Sequence, residues 1–407
     1  MTGAEENHRP RQRRAGRTRR RLGIWLILGL ALGSVGLGVA GLALTHLPVP
    51  VPQALLGRIE ARANAALAGR MRVHLGSAAL VIEAGFAPEV RLAMVQIAQP
   101  SGLPLAVFPE VRTRLRPEGL LQGRLLPQRL QIGGASVALY RAADGRLDLD
   151  LGDAGAGAIK LDLTDPLKVS DSIEALFATP ALRGVAEVSA EDLHIRIVDE
   201  RAERVWEISE GRFRLSQSAE AIALTLGFDV GQQDALPAQV ALTASTSKRS
   251  PAADFGAAVT GMPAADLAVQ SPALAVLRTL DAPISGTLRS GITEDGTLRR
   301  LDASLHIGPG ALRPSEAVKP VAFDGADLKL AYRPHSGVVE ITRLDLQSRA
   351  LRLAATGQVR LRDFDKGLPR EALAQVQLSD IASDPEGLFE KPARFSQGAV
   401  DLRLRLD

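Results

Sequence analysis

The chain has 407 residues, of which 46% are hydrophobic, so it is long enough for two ordinary domains or one long repetitive one. Aromatic residues make up only 3%, which disfavours the stacking platforms that bind nucleic-acid bases. Residues 1–21 hold eight Arg and two Glu, a net +6, so the remainder carries about −3 of the overall +3. That balance excludes a polyphosphate-binding domain, and the absence of Cys excludes disulfides and thiolate metal sites.

An uncharged apolar run follows the Arg-rich segment. Residues 22–44 contain no charged side chain, and at about 1.5 Å per residue such a helix spans a hydrocarbon core of ~30 Å. The sequence therefore predicts a cytosolic Arg-rich tail over 1–21 and a transmembrane helix over 22–46, with the bulk of the chain outside the cytoplasm. A cleaved signal peptide is the alternative, but the run is longer than the ~7–15 residues of such a segment.

A spacer and a short helix are predicted next, over residues 47–69. Pro48, Pro50 and Pro52 alternate with apolar residues, which is typical of a stiff extended segment. Apolar residues then recur at helical spacing from Leu55 to Leu67, and Gly69 ends the run. We expect this helix to cap the first strands or to rest on the membrane surface.

Beyond Gly69 the apolar residues alternate with polar ones at a period of two, in segments of about 8–12 residues separated by turn signals. The pattern predicts a mainly β fold, with an N-terminal β region over 70–160 and a central one over 161–407. Helical interruptions are expected near 166–180 and 263–280, the second split at Pro272. Asp144-Gly145 marks a hairpin.

About 20 such strands, each ~4.8 Å from the next, would form an antiparallel sheet ~100 Å long with one aliphatic face. Open sheets of that size curl, and the few helices cannot cover the whole face, so we expect a groove with an aliphatic floor. Acyl chains are its natural filling. The tentative lipid-contacting floor positions are Leu224, Leu226, Leu305, Ile307, Leu330, Ile341 and Leu353.

The chain resembles the AsmA-like superfamily of bacterial envelope proteins, in particular its YhdP/TamB branch. The anchor followed by residues 58–62 carries the resemblance, together with short turn and strand motifs at 88–92, 109–111, 121–124, 132–137, 144–147, 280–286 and 295–298. The resemblance implies an inner-membrane anchor, a periplasmic β-groove and transport of phospholipid between the inner and outer membranes. Members of this branch are longer, which predicts either a truncated chain or one that needs a partner.

Signatures of catalysis are missing from the sequence. The six His are dispersed without metal-ligand spacing, and neither a nucleophile elbow nor a phosphate-binding loop occurs. His74, His194 and His306 alternate with apolar residues and are expected to face solvent, as are the carboxylates of Asp199 and Glu200 in a turn. We therefore predict no enzyme activity, no metal and no cofactor.

The expected partners are the inner membrane, phospholipid and a periplasmic or outer-membrane protein, but not nucleic acid. Alternating Arg residues such as Arg112 and Arg352 could meet lipid phosphates at a rim, although an ordinary solvent-facing position explains them as well. The alternative function is a structural envelope protein that affects outer-membrane assembly without carrying lipid.

Overall fold

The fold is described from a computed structural model of the chain. The residues that it describes are 47–66, 69, 71–83, 87–102, 104–121, 126–143, 147–149, 184–232, 236–270, 272–313, 319–348, 351–365, 368–383 and 393–405. The predicted cytosolic tail and transmembrane helix lie outside this part of the chain, as do the predicted helix at 166–180 and the boundary at 160/161. None of the helices within it has the length and apolar character needed to cross a bilayer.

The described chain is mainly β. Its strands are β1 (Val49–Pro50), β2 (Arg72–Glu83), β3 (Ala87–Ala98), β4 (Pro104–Leu115), β5 (Pro127–Gly133), β6 (Ser136–Arg141), β7 (Leu147–Leu149), β8 (Glu187–Asp199), β9 (Arg204–Gln217), β10 (Ala221–Val230) and β11 (Ala238–Ser247). They continue with β12 (Ala253–Pro263), β13 (Leu280–Asp281), β14 (Pro283–Ile292), β15 (Leu301–Ile307), β16 (Gly310–Leu312), β17 (Val321–Phe323), β18 (Gly325–Arg333), β19 (Val338–Gln347), β20 (Leu351–Asp365), β21 (Leu368–Ser383) and β22 (Ala393–Arg405).

The helices are few and short. They are α1 (Gln53–Ala66), α2 (Pro117–Leu121) and α3 (Ala264–Ala268), with 3-10 helices at Pro272–Thr279 and Pro334–Ser336. The region predicted as two helices split at Pro272 thus folds as α3 followed by a 3-10 helix. The 3-10 helix contacts both α3 and the short strand β13.

Nineteen strands form one sheet, in which the strands succeed one another largely in chain order from β1 to β22. Neighbouring strands in the described chain are otherwise antiparallel, but β8 lies parallel to β5 and β6. The prediction of a wholly antiparallel sheet is therefore wrong, and the sheet is mixed. Two-residue alternation predicts which face of the sheet a side chain lies on, but it does not predict whether neighbouring strands run parallel or antiparallel. The parallel pairing of β8 therefore could not be predicted from the sequence.

Strands β5 and β6 lie end to end at a single position between β4 and β8. Glu110 of β4 is opposite Gly133 and Val107 is opposite Ser136, so the register continues across the break. Gly134 joins the two strands with a φ of 66°, a left-handed conformation that glycine adopts without a steric penalty. The small sheet of β13, β16 and β17 lies next to β14, β15 and β18 in the chain.

Helix α1 closes the first edge of the sheet. The Asn64 side chain donates to the Val73 carbonyl at 2.9 Å and accepts from the Val73 N–H at 2.7 Å, as the backbone of a neighbouring strand would. Glu60 accepts from the Leu75 N–H at 3.2 Å. Leu56 of the same helix, only 2% exposed, packs on Leu75 and its neighbours. Side chains therefore satisfy backbone groups that would otherwise invite pairing with another chain.

Replacing Asn64 by Ala should loosen this edge. Two hydrogen bonds are lost at about 1 kcal/mol each, so the Val73 amide should exchange roughly 5- to 30-fold faster with solvent deuterium. Hydrogen-exchange mass spectrometry on peptides covering residues 71–78 measures the change. Arg62→Ala, which alters an exposed position on the same helix, is the control. Equal exchange rates in the two variants would contradict the role of Asn64.

Candidate functional site

One face of the large sheet is apolar from strand to strand. Residues directly opposite each other in neighbouring strands share a face, so the pairing register decides which side chains meet. Leu224 lies opposite Ala244, which lies opposite Phe255. The same face continues through the pairs Ala257–Leu288, Leu288–Ala303, Ala303–Leu330, Leu330–Ile341, Ile341–Gly357 and Gly357–Val376. We call this side of the sheet the apolar face.

The seven positions predicted as floor residues all lie on the apolar face. Leu305 and Ile307 stand two residues apart on β15, and Leu330 and Ile341 are opposite each other on β18 and β19. Leu353 of β20 joins them through the pairs Ile307–Ala326, Ala326–Leu346 and Leu346–Leu353. Leu224 and Leu226 lie four strands from β15, a separation of about 19 Å.

These seven side chains are half-buried, in contrast to core residues such as Val185, which is 1% exposed. Leu305 packs close to the backbone, since a Cβ added at Gly286 would lie 2.7 Å from its Cδ2 atom. Part of each of these leucine and isoleucine side chains remains exposed.

The stretch of the apolar face from β14 to β22 is uncharged along the middle of the strands. We call this stretch the open floor; its members are Ile284, Gly286, Leu288, Ser290, Ala303, Leu305, Ile307, Ala326, Leu328, Leu330, Val339, Ile341, Leu344, Leu346, Leu353, Ala355, Gly357, Val359, Ala372, Ala374, Val376, Leu378, Gly398 and Val400. The clusters of buried apolar residues found in the described chain belong to β2–β12 and the helices beside them. Helix contacts are likewise concentrated at β2, β12 and β13.

The opposite face is polar and carries ion pairs both between neighbouring strands and within a strand. His306 Nδ1 lies 2.9 Å from an Asp327 carboxylate oxygen, and both side chains are largely exposed. Within β19, the hydrogen bond from Arg343 to Asp345 raises the pKa of Arg343 above its usual value. Within β4, hydrogen bonds from Arg112 lower the pKa of the Glu110 carboxyl below its usual value.

Two depressions of about 480 and 290 Å³ occur between β18 and β22. Both are lined by Gln358, Gln375 and Asp401, which belong to the polar face. His74, His194 and His306 are exposed, as predicted. In the described part of the chain, no group of three or more His, Asp or Glu could hold a metal ion.

A charged cluster lies at one end of the apolar face on β6, β8 and β9. The Asp199 side chain is fully buried and accepts from Arg141 Nη1 at 3.1 Å, Trp206 Nε1 at 2.9 Å and the Ala202 N–H at 3.1 Å. Arg204 stacks over the Trp206 ring, 4.4 Å from its centroid. The prediction that Asp199 is a solvated turn residue is therefore wrong, whereas Glu200 beside it is exposed.

A sequence signal for this cluster was present. Ile195, Ile197 and Asp199 are in phase, so the carboxylate had to follow the isoleucines onto the apolar face. Across the ladder, Arg141 and Arg204 both lie opposite Asp199, and they bring the compensating charges. Arg141 is 58 residues from Asp199 in the sequence, so only the pairing of β6 with β8 brought these two together.

Replacing Asp199 by Ala should be strongly destabilising. The change leaves the Arg141 guanidinium, 17% exposed, without its carboxylate, and a loss of about 3–5 kcal/mol is expected from breaking a buried pair. Chemical denaturation followed by Trp206 fluorescence, in a Trp25→Phe background, measures the loss. Glu200→Ala, at the exposed neighbour, should cost about 1 kcal/mol or less. Similar losses in both variants would show that the buried cluster contributes no special stability.

Comparison with known proteins gives no relative from which the use of the apolar face could be transferred. No family model matches the chain, and neither a curated protein nor a solved structure matches it. The case for a function therefore depends on the geometry and chemistry of the two faces.

Proposed function

We propose that this chain is an inner-membrane-anchored periplasmic protein whose apolar face forms part of a path for phospholipid between the inner and outer membranes. Acyl chains lie along the open floor, and the headgroup stays in water. The chain carries out no covalent chemistry on the lipid. The observation that carries the proposal is the open floor itself, a continuous and uncharged surface across seven strands whose leucine, isoleucine and valine side chains, apart from the buried Ile284, are half-buried.

An exposed aliphatic surface of this extent is unusual for a soluble protein. Contiguous apolar patches beyond a few hundred Å² generally mark a surface that binds a partner, a ligand or a membrane. The floor offers Leu, Ile, Val, Ala and Gly with few polar atoms, so it contributes little hydrogen bonding that could recognise a polar partner. Hydrocarbon is the guest that matches these properties.

The expected energetics suit movement along the floor. Each methylene removed from water contributes about 0.8 kcal/mol, so two acyl chains gain enough to bind. Because successive strands present similar aliphatic side chains, a lipid shifted by one strand exchanges equivalent contacts. The floor therefore lacks a deep trap and allows the lipid to slide.

The N-terminal sequence and the family resemblance support the location. The 23 uncharged residues at 22–44 and the preceding Arg cluster favour an anchor with the bulk of the chain translocated. The resemblance to the YhdP/TamB branch adds the periplasm and phospholipid as the expected compartment and cargo.

Photo-crosslinking at single positions tests the path. A benzophenone side chain at Leu305, Leu330 or Ile341 should form phospholipid adducts in cells that express the full chain. Ser304 and Lys329 are the matched controls, because a step of one residue along the same strand moves the probe to the polar face. Adduct yield should be at least tenfold higher on the apolar face, as measured by mass spectrometry of the purified protein.

The same experiment distinguishes the lipid path from the alternative function, a structural role without lipid. A structural envelope protein that uses the open floor to pack against another protein would give protein adducts at Leu305 and Leu330 and no lipid adducts. That outcome would overturn the proposed lipid path.

A charge placed on the floor should block the path. Leu305→Asp puts a carboxylate among aliphatic side chains, where an acyl chain cannot solvate it, so lipid adducts at the neighbouring Leu330 should fall about tenfold. Ser304→Asp, on the polar face of the same strand, should leave the yield unchanged. Thermal unfolding of both variants shows whether the sheet is intact, and an unchanged yield in a folded Leu305→Asp variant would contradict the proposal.

A further inference from the structure

Two sides of helix α1 differ in what they contact. Leu56, Glu60 and Asn64 recur every four residues, so they lie on one side of the helix, and each of them contacts β2. Leu55 and Ile59 are also four residues apart, but they lie on another side and are 49% and 46% exposed. Two large aliphatic side chains are thus exposed on a helix that already packs on the sheet with its other side.

Arginines border this exposed pair. Arg58 follows Leu55 by three residues and Arg62 follows Ile59 by three, and residues at this spacing are neighbours on a helix surface. Both arginines are exposed, and within the described chain the side chain of neither forms an ion pair or a hydrogen bond. Aliphatic side chains next to exposed cations are typical of helices that lie in the interface of a phospholipid bilayer. We call these four residues the outer face of α1.

The apolar face of the sheet continues past α1 at the same edge. Val51 packs against the cluster that contains Leu56, whereas Val49, two residues earlier, is exposed. Leu80 of β2 lies opposite Val49 and is exposed as well. It stands two residues from the buried Ala78 and therefore on the same face of the sheet. Val49 and Leu80 thus extend the apolar face beyond the part on which α1 packs.

The course of the chain keeps this edge close to the predicted anchor. The described chain begins at Leu47, directly after the transmembrane helix predicted over 22–46, and α1 begins at Gln53. Even when fully extended, the residues between the anchor and α1 span no more than about 25 Å. A tether this short gives the outer face a high effective concentration at the bilayer surface, so a weak intrinsic affinity is enough for binding.

We propose that the outer face of α1 binds the surface of the phospholipid bilayer that holds the anchor, and that this contact brings the first edge of the apolar face to the lipid. The inference rests on the proposed function, because it requires the anchor. The two aliphatic side chains insert at the boundary between headgroups and acyl chains, and the two arginines pair with lipid phosphates. Helix α1 then closes the sheet edge with one side and contacts the membrane with another.

Single spin labels on the full chain in liposomes test this contact. The chain has no Cys, so Leu55→Cys or Ile59→Cys provides one labelling site. In liposomes of phosphatidylethanolamine and phosphatidylglycerol, a nitroxide at either position should collide often with oxygen, which concentrates in the bilayer, and rarely with a water-soluble nickel chelate. The oxygen-to-nickel collision ratio should be at least fivefold higher than for Ala61→Cys, an exposed position about 200° around the helix from Ile59.

A polar substitution of one aliphatic side chain should release the other from the bilayer. With the label at Ile59, Leu55→Gln should lower the collision ratio at least threefold, because an inserted amide loses water without gaining a partner. Leu236→Gln, at a leucine that is 88% exposed between β10 and β11, is the matched control and should leave the ratio unchanged. Thermal unfolding shows whether both variants are folded. Combined Arg58→Gln and Arg62→Gln substitutions, at exposed positions, should lower the ratio at least twofold.

The outcomes separate this inference from the proposed lipid path. A nitroxide at Ile59 that collides with the nickel chelate as often as one at Ala61 overturns the membrane contact, whereas lipid adducts at Leu305 would leave the path standing. Shielding of Ile59 from both reagents shows that protein covers the outer face, a second copy of the chain where dipolar broadening accompanies it, and also overturns the contact. Chains that do not float with the liposomes lack the anchor on which both proposals depend.

Discussion

The structure depends on one constraint, which is that a side-chain period of two keeps every apolar residue of a strand on the same side of the sheet. The strands succeed one another largely in chain order. The apolar face therefore continues from each strand to the next through directly opposite pairs such as Leu224–Ala244 and Leu330–Ile341. The result is a very broad apolar surface. How that surface is covered then decides what each part of the sheet can do.

The apolar face is covered to different extents in three parts of the sheet. Helix α1 packs on β2 and completes its outer edge with the side chains of Glu60 and Asn64. Leu267 of α3 and Val269 just after it pack on one end of β8–β12, and the Arg204–Asp266 ion pair joins α3 to β9. From β14 to β22 the leucine, isoleucine and valine side chains of the open floor are half-buried, apart from Ile284, which is buried. Burial of apolar side chains in the first two regions contributes to the stability of the fold.

Charge is distributed in keeping with this division. The polar face carries pairs such as His306–Asp327, where exposed groups remain solvated and contribute little to stability. The charged cluster on the apolar face is the opposite case, since Asp199 is fully buried and therefore needs Arg141 and Trp206 as partners. Water cannot solvate the buried carboxylate, so these hydrogen bonds and the ion pair have to compensate its charge. The same physical rule predicts that the exposed pairs are dispensable for stability and that the buried cluster is not.

The sequence by itself determined the mainly β fold, the face taken by each floor residue and the short helices on either side of Pro272, because all of these follow from local periodicity and turn residues. It could not determine the parallel placement of β8 beside β5 and β6, since alternation is blind to strand direction. Nor could it place Asp199 against Arg141 and Asp266 against Arg204, pairs that are 58 and 62 residues apart. Only the tertiary structure decided which part of the apolar face is covered, because cover depends on contacts between segments that are distant in the chain.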